Sequence, residues 1–277
     1  MSKQQPNQDM SKAVQSPDER LVAAAHAGDL PAIQQAITDD ANINAKVVTD
    51  RFRGEEFQST ALHLAVLYAH EAVAAYLLEK GADANVLDSA NRAPLHLATI
   101  ARQTNFVRML LNAGADVNLK DAKGYSPLHS ISSAGGSTEI VDLLLQRGAD
   151  VNAADNGGVT PIFDAVYNAQ PVLVKKLLKH GAMFNAFDNN GEQPIHFANR
   201  DNLKERGRAE RTVECLALLL EAGASADAPD RHGKTLVEQC ENDPRIAELV
   251  AVFKAKVGVD AALAKIQREG PQGNSGD

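Results

Sequence analysis

Four histidines, His63, His96, His129 and His196, recur along the chain, each directly after Leu or Ile. Histidine is the commonest metal ligand and the commonest general base, so the series invites both readings. Geometry opposes a shared ion. Equivalent positions on packed neighbouring helices lie roughly 8–10 Å apart, whereas zinc needs its nitrogens at about 2.0–2.1 Å. Another segment with the outline of a chemical motif is Ala228-Pro229-Asp230-Arg231-His232-Gly233-Lys234-Thr235, close to a phosphate loop but with Ala for the first Gly. The working motif follows an apolar strand and wraps phosphates with its amides. No such strand precedes this segment, which instead occupies the same slot as Asp121–Ser126. Cys215 and Cys240 sit in helical apolar contexts and read as reduced and buried, as free cysteine behaves like a small hydrophobe. Asp164 and Glu238 interrupt otherwise apolar helix starts, and each is expected to be exposed or paired. No Ser–His–Asp, Cys–His or paired-carboxylate arrangement stands apart from the pattern around it. We therefore expect no catalytic, cofactor-binding or metal-binding residues, and a protein that is not an enzyme.

The elements that carry these residues come from a repeat. Ala82-Asp83-Ala84-Asn85 returns at Ala115–Asn118, Ala149–Asn152 and, more loosely, Ala182–Asn185, at intervals of 33, 34 and 33 residues. A second block stays in register with it: Thr60-Ala61-Leu62-His63-Leu64-Ala65, Ala93-Pro94-Leu95-His96-Leu97-Ala98, Ser126-Pro127-Leu128-His129, Thr160-Pro161-Ile162-Phe163 and Gln193-Pro194-Ile195-His196. A hydroxyl ahead of proline reads as a helix cap with Pro in the first turn. Phe106, Val107, Leu110 and Leu111 share one face of a following helix, which Gly114 ends. Each unit is thus helix, turn, helix and a hairpin-like loop.

The period and the Thr-Pro-Leu-His block resemble the ankyrin repeat, over about residues 17–255. The resemblance implies an all-α repeat solenoid: stacked helix–turn–helix units with hairpin loops, five central repeats and divergent N- and C-terminal caps. One unit cannot bury its own apolar face, so neighbours must stack. We expect a disordered tail over 1–16, a single domain over 17–269 (N-cap 17–45, central repeats 58–230, C-cap 231–269) and a disordered tail over 270–277. Residues 259–269 are expected to extend the last helix region. In this family the repeated histidine hydrogen-bonds locally and ties the helix start to its loop, so Phe163 alters that network in the fourth repeat.

The net charge of −8 disfavours nonspecific nucleic-acid binding, which needs a basic stripe. No apolar run approaches a membrane span and no secretory leader is visible, so a cytoplasmic location is the default. A free monomer without cofactors is expected.

The resemblance implies a protein-binding module, an inhibitor or an adaptor, that contacts its partner through hairpin tips and the exposed face of the first helices. With the register known, those positions can be read. Candidate contacts are Phe52, Phe57, Leu67, Tyr68, Arg92, Ile100, Tyr125, Tyr167, Asn168 and Arg200. Tyr and Arg dominate interface hot spots. Tyr68 and Tyr167 either pack on neighbouring repeats or meet a partner, and Tyr125 at a hairpin tip is favoured as a contact. Two insertions break the period, a Phe-bearing one at 46–57 and a charged one at 201–211. Each is either a binding loop or a plain solvated loop, and the first is expected to enlarge the first hairpin. The alternative function implied by the family is that of a substrate for an asparaginyl hydroxylase in a eukaryotic regulatory pathway, at Asn118 and Asn152.

Overall fold

The repeat is built as helix pairs. The structure, a computed structural model, describes residues 15–52, 55–133, 137–199, 208–239 and 244–255. It divides into two compact units, Met1–Asn156 and Gly157–Asp277. In the first unit the elements are α1 (Pro17–Ala27), α2 (Leu30–Thr38), β1 (Val47–Phe52), β2 (Glu55–Ser59), α3 (Ala61–Leu67), α4 (Glu71–Glu79), α5 (Pro94–Ile100), α6 (Thr104–Asn112), α7 (Pro127–Ser133) and α8 (Thr138–Gln146). In the second they are α9 (Pro161–Tyr167), α10 (Pro171–Lys179), a 3₁₀ helix (Pro194–Asn199), α11 (Arg208–Glu221) and α12 (Leu236–Gln239). A further helical stretch covers 244–255.

The core follows the period. Leu62, Leu95 and Leu128 in the first unit, and Ile162, Ile195 and Leu236 in the second, are buried at the same step of successive first helices. Leu77, Leu110 and Leu144, then Leu177 and Leu219, do the same in the second helices. Accordingly α1 packs on α2 and α3, α3 on α4 and α5, and α5 on α6 and α7; in the second unit α9 packs on α10 and the 3₁₀ helix.

The Asp-x-Asn motif has a division of labour. Asp116 Oδ1 accepts the Asn118 N–H at 2.8 Å and closes the local turn. The asparagine reaches the next repeat instead. Asn85 Oδ1 accepts the Asp116 N–H at 2.7 Å while its Nδ2 donates to the Gly114 carbonyl at 3.1 Å. Asn118 repeats this with Asp150 N–H and the Gly148 carbonyl, at 2.8 and 3.0 Å. Each pair satisfies backbone groups left open at a helix C-terminus. Gly124 is required at its hairpin twice over. Its φ is +83°, and a Cβ there would stand 2.6 Å from Asn156 Oδ1.

The insertion at 46–57 does enlarge the first hairpin, as an antiparallel ribbon of β1 and β2 in which Val47 faces Ser59, Val48 faces Gln58 and Asp50 faces Phe57. A bulge falls at Thr49, whose hydroxyl donates to the Phe57 carbonyl at 3.2 Å. This ribbon is the exception to a helical architecture among the described residues. The described end of the 201–211 insertion is helix and not loop: Arg208–Arg211 form the first turn of α11, anchored where Arg208 Nη2 donates to the Tyr167 carbonyl at the end of α9, 2.8 Å away. Residues 201–207, 256–277 and Cys240 lie outside the described residues, so the expectation for 259–269 does too.

Candidate functional site

The histidines hold loops. His63 Nδ1 accepts the Thr60 N–H at 3.4 Å and lies 2.8 Å from the Thr60 hydroxyl, and its Nε2 donates to the Arg92 carbonyl at 2.9 Å. His96 Nδ1 accepts the Ala93 N–H at 3.1 Å and its Nε2 donates to the Tyr125 carbonyl at 2.9 Å. An Nδ1 that accepts a backbone N–H fixes the proton on Nε2. Both nitrogens are then spent, and no lone pair remains for a metal. Burial pushes both imidazoles below the ordinary value. In the second unit His196 makes the same two bonds, to Gln193 N–H and the Ala228 carbonyl at 3.0 and 3.1 Å.

Hydroxyl capping holds at some helix starts and not at others: Ser16 caps α1 ahead of Pro17, whereas Thr160 makes no cap bond to α9. Thr60 caps α3, its Oγ1 accepting the His63 N–H at 3.4 Å, and the same hydroxyl lies 2.8 Å from the imidazole. Where Phe163 replaces histidine, its ring is buried edge-on against Phe197 at 5.0 Å, and Thr160 Oγ1 has no hydrogen-bond partner among the described residues. In the last unit Glu238 takes over the histidine's role, accepting Thr235 N–H at 2.7 Å and Thr235 Oγ1–H at 2.9 Å. Those bonds, the backbone one first, hold its carboxyl below the usual range. The segment that mimics a phosphate loop is a hairpin turn: Asp230 Oδ1 accepts the N–H groups of His232 and Lys234, both at 2.8 Å.

The carbonyls that His63 and His96 hold belong to Arg92 and Tyr125, two of the candidate contacts. Those two residues and a third, Ile100, line one open cavity of about 480 Å³ in the first unit, with Lys123 and Ser130 beside them. Ile100 is 47% exposed. The Arg92 guanidinium is held at 2.8 Å from buried Asp88 and lies over the Phe57 ring at 5.4 Å. Tyr125 has a packing role as well, its ring stacked on His129 at 5.5 Å. Leu67 and Tyr68, 51% and 48% exposed, end α3. The Tyr68 ring meets the ring of His26 edge-on at 4.4 Å and stacks with that of His70 at 6.4 Å, so neighbouring packing and exposure coexist there.

Not every candidate joins this cavity. Tyr167 and Asn168 belong to the second unit, and the Asn168 carboxamide is spent on the Asp164 carbonyl at 2.8 Å. The main chain of Phe52 ends β1, and its side chain lies outside the described residues, as does Arg200. Sequence reading missed Met183 and Phe187, 56% and 64% exposed in the second unit. A signal for Met183 was present, because it stands where Asp83, Asp116 and Asp150 recur. Among the described residues no group of three or more His, Cys, Asp or Glu could hold a metal ion, and no helix is long and apolar enough to cross a membrane.

Helix pairs joined by hairpins, with Asn85, Asn118, His63, His96 and His196 each tying one repeat to the next, define a repeat protein that offers surface grooves. The family model described as ankyrin repeats (3 copies) matches residues 21–121 and 114–188, and the chain belongs to that family. Among solved structures it is similar to the ankyrin repeat domain of Bcl-3, described as a unique member of the IκB protein family. The two share 26% identity over 86% of this chain and 100% of that one, with a TM-score of 0.68. No curated protein matches the sequence.

Proposed function

We propose that this protein is a non-enzymatic binding module that takes another protein against its hairpin tips and the exposed ends of its first helices. The observation that carries the reading is the cavity of about 480 Å³ where Arg92, Ile100 and Tyr125 converge. An exposed aliphatic beside a half-buried tyrosine and an arginine has the make-up of an interface centre. A cytoplasmic site of action accords with Cys215, a buried free thiol.

The test is capture of a partner from the native organism with the wild-type chain and with Ile100→Glu. Ile100 is exposed, so the charge leaves folding intact and abolishes capture. Equal capture by both chains rejects this surface.

The hydroxylase-substrate reading keeps one supporting observation: Asn118 lies exposed on its hairpin. Modification requires its carboxamide to leave both inter-repeat bonds. Mass spectrometry of native protein decides it, since peptides that carry no added oxygen end the idea.

A further inference from the structure

The ribbon formed by the 46–57 insertion has one edge tied down and one open. Gln58 donates its backbone N–H to Ser89 Oγ at 2.7 Å, and its carbonyl accepts the Ser89 N–H at 3.1 Å. Both groups of Gln58 therefore point away from β1. In an antiparallel ladder, pairs that exchange two hydrogen bonds alternate with pairs that exchange none. Val48 faces Gln58, so this pair exchanges none, and the N–H and C=O of Val48 also point outward, on the opposite side. Among the described residues no partner is found for either group. That open edge borders a groove of about 520 Å³ lined by Val47, Val48 and Thr49 on one side and by Val22 and Ala23 of α1 on the other, with Leu64 of α3. The Val48 side chain is 38% exposed.

We propose that this edge receives an extended segment of another polypeptide, which adds to β1 as a third strand. The proposal rests on the reading of the chain as a binding module, but it names a groove other than the one at Ile100. An outward donor and acceptor on one residue are the complement of an extended backbone, which lies about 4.8 Å from its neighbour in a sheet. The facing wall mixes apolar Val22, Ala23 and Leu64 with polar Glu19 and His26, which suits a segment that alternates small aliphatic and polar side chains. The bulge at Thr49 breaks the ladder, so the added strand is short and centred on Val48.

The test uses Val48→Pro. Proline removes the outward N–H and is tolerated on an edge strand where that N–H takes no part in the ladder. Linear random twelve-residue peptides displayed on phage are selected against the full chain and resynthesised. The proposal expects peptides whose affinity falls roughly tenfold on Val48→Pro, the loss of about one well-made hydrogen bond with its fit, and holds on Val48→Ala and Ile100→Glu. It also expects the Val48 amide of the wild-type chain to gain protection from hydrogen exchange in the complex, a readout that needs no variant to fold. Peptides that bind Val48→Pro as tightly as wild type, or leave the Val48 amide unprotected, overturn it. If those peptides fail on Ile100→Glu instead, the binding-module reading stands and the edge proposal falls. If no peptide binds, the edge proposal falls, while the binding-module reading is decided separately by partner capture with Ile100→Glu. A wild-type dimer in sedimentation that Val48→Pro makes monomeric assigns the edge to a second copy, and overturns the proposal as well.

Discussion

His96 spends one ring nitrogen on the start of its own helix and the other on the Tyr125 carbonyl one repeat away. Its chemistry is placement: it fixes the loop that presents Tyr125 to the groove. The same holds for His63 and Arg92. Both imidazoles are neutral when folded, with values pushed below the ordinary 6.5 by burial. As pH falls, the unfolded chain takes up its protons first. Their contribution is therefore complete above 6.5 and is lost as pH drops from there through the folded-state values. Urea midpoints should fall between about pH 7.5 and 5.5, above the range where ordinary carboxylates titrate, and His96→Phe should shrink the decline. A flat profile contradicts the assignment. Cys215 gives a second prediction at this scale. Burial, then the Glu214 charge, pushes its thiol up to about 12. In a Cys240→Ser background it should resist thiol reagents at neutral pH until the chain unfolds; fast labelling of the native protein contradicts this.

The hairpins and helix pairs are stabilised between repeats more than within them. Asn118→Ala removes the bonds to the Asp150 N–H and the Gly148 carbonyl, and should cost about 1–3 kcal/mol in denaturant unfolding. Gly124→Ala meets both a positive φ and the Asn156 side chain, so its midpoint should drop by an amount worth more than about 1 kcal/mol. At this scale most of the architecture is legible in the residues. Leu95, Leu110, Gly114 and Asn118 each recur at a fixed step, and each has one physical role repeated. Legibility fails where a role depends on what a particular neighbour offers. Thr60 caps its helix as its type suggests, but that a buried imidazole also draws the hydroxyls of Thr60 and Ser126 is not written in either residue. Nothing local in Arg208 says that it reaches the Tyr167 carbonyl, because that contact spans 41 residues. The ribbon's open edge follows from two bonds between Gln58 and Ser89, residues with no pattern of their own.

For the molecule as a whole, the repeat that identifies the family says least about what is bound. On the proposed reading, specificity resides in departures from it: the ribbon at 47–59, the exposed Ile100 among hairpin tips, and Met183 and Phe187 in the second unit. Of the ten contacts read from the sequence, Arg92, Ile100 and Tyr125 converge because the fold repeats the tip-and-helix geometry at each step. Tyr167 and Asn168 lie in the other unit. The net charge of −8 fits a partner read by shape and apolar contact better than one held by phosphates. The most direct measurement is partner capture from the native organism by the wild-type chain and by Ile100→Glu, with thermal unfolding recorded for both. The account predicts that capture is lost while the unfolding transition is unchanged. Equal capture by the two chains would contradict it.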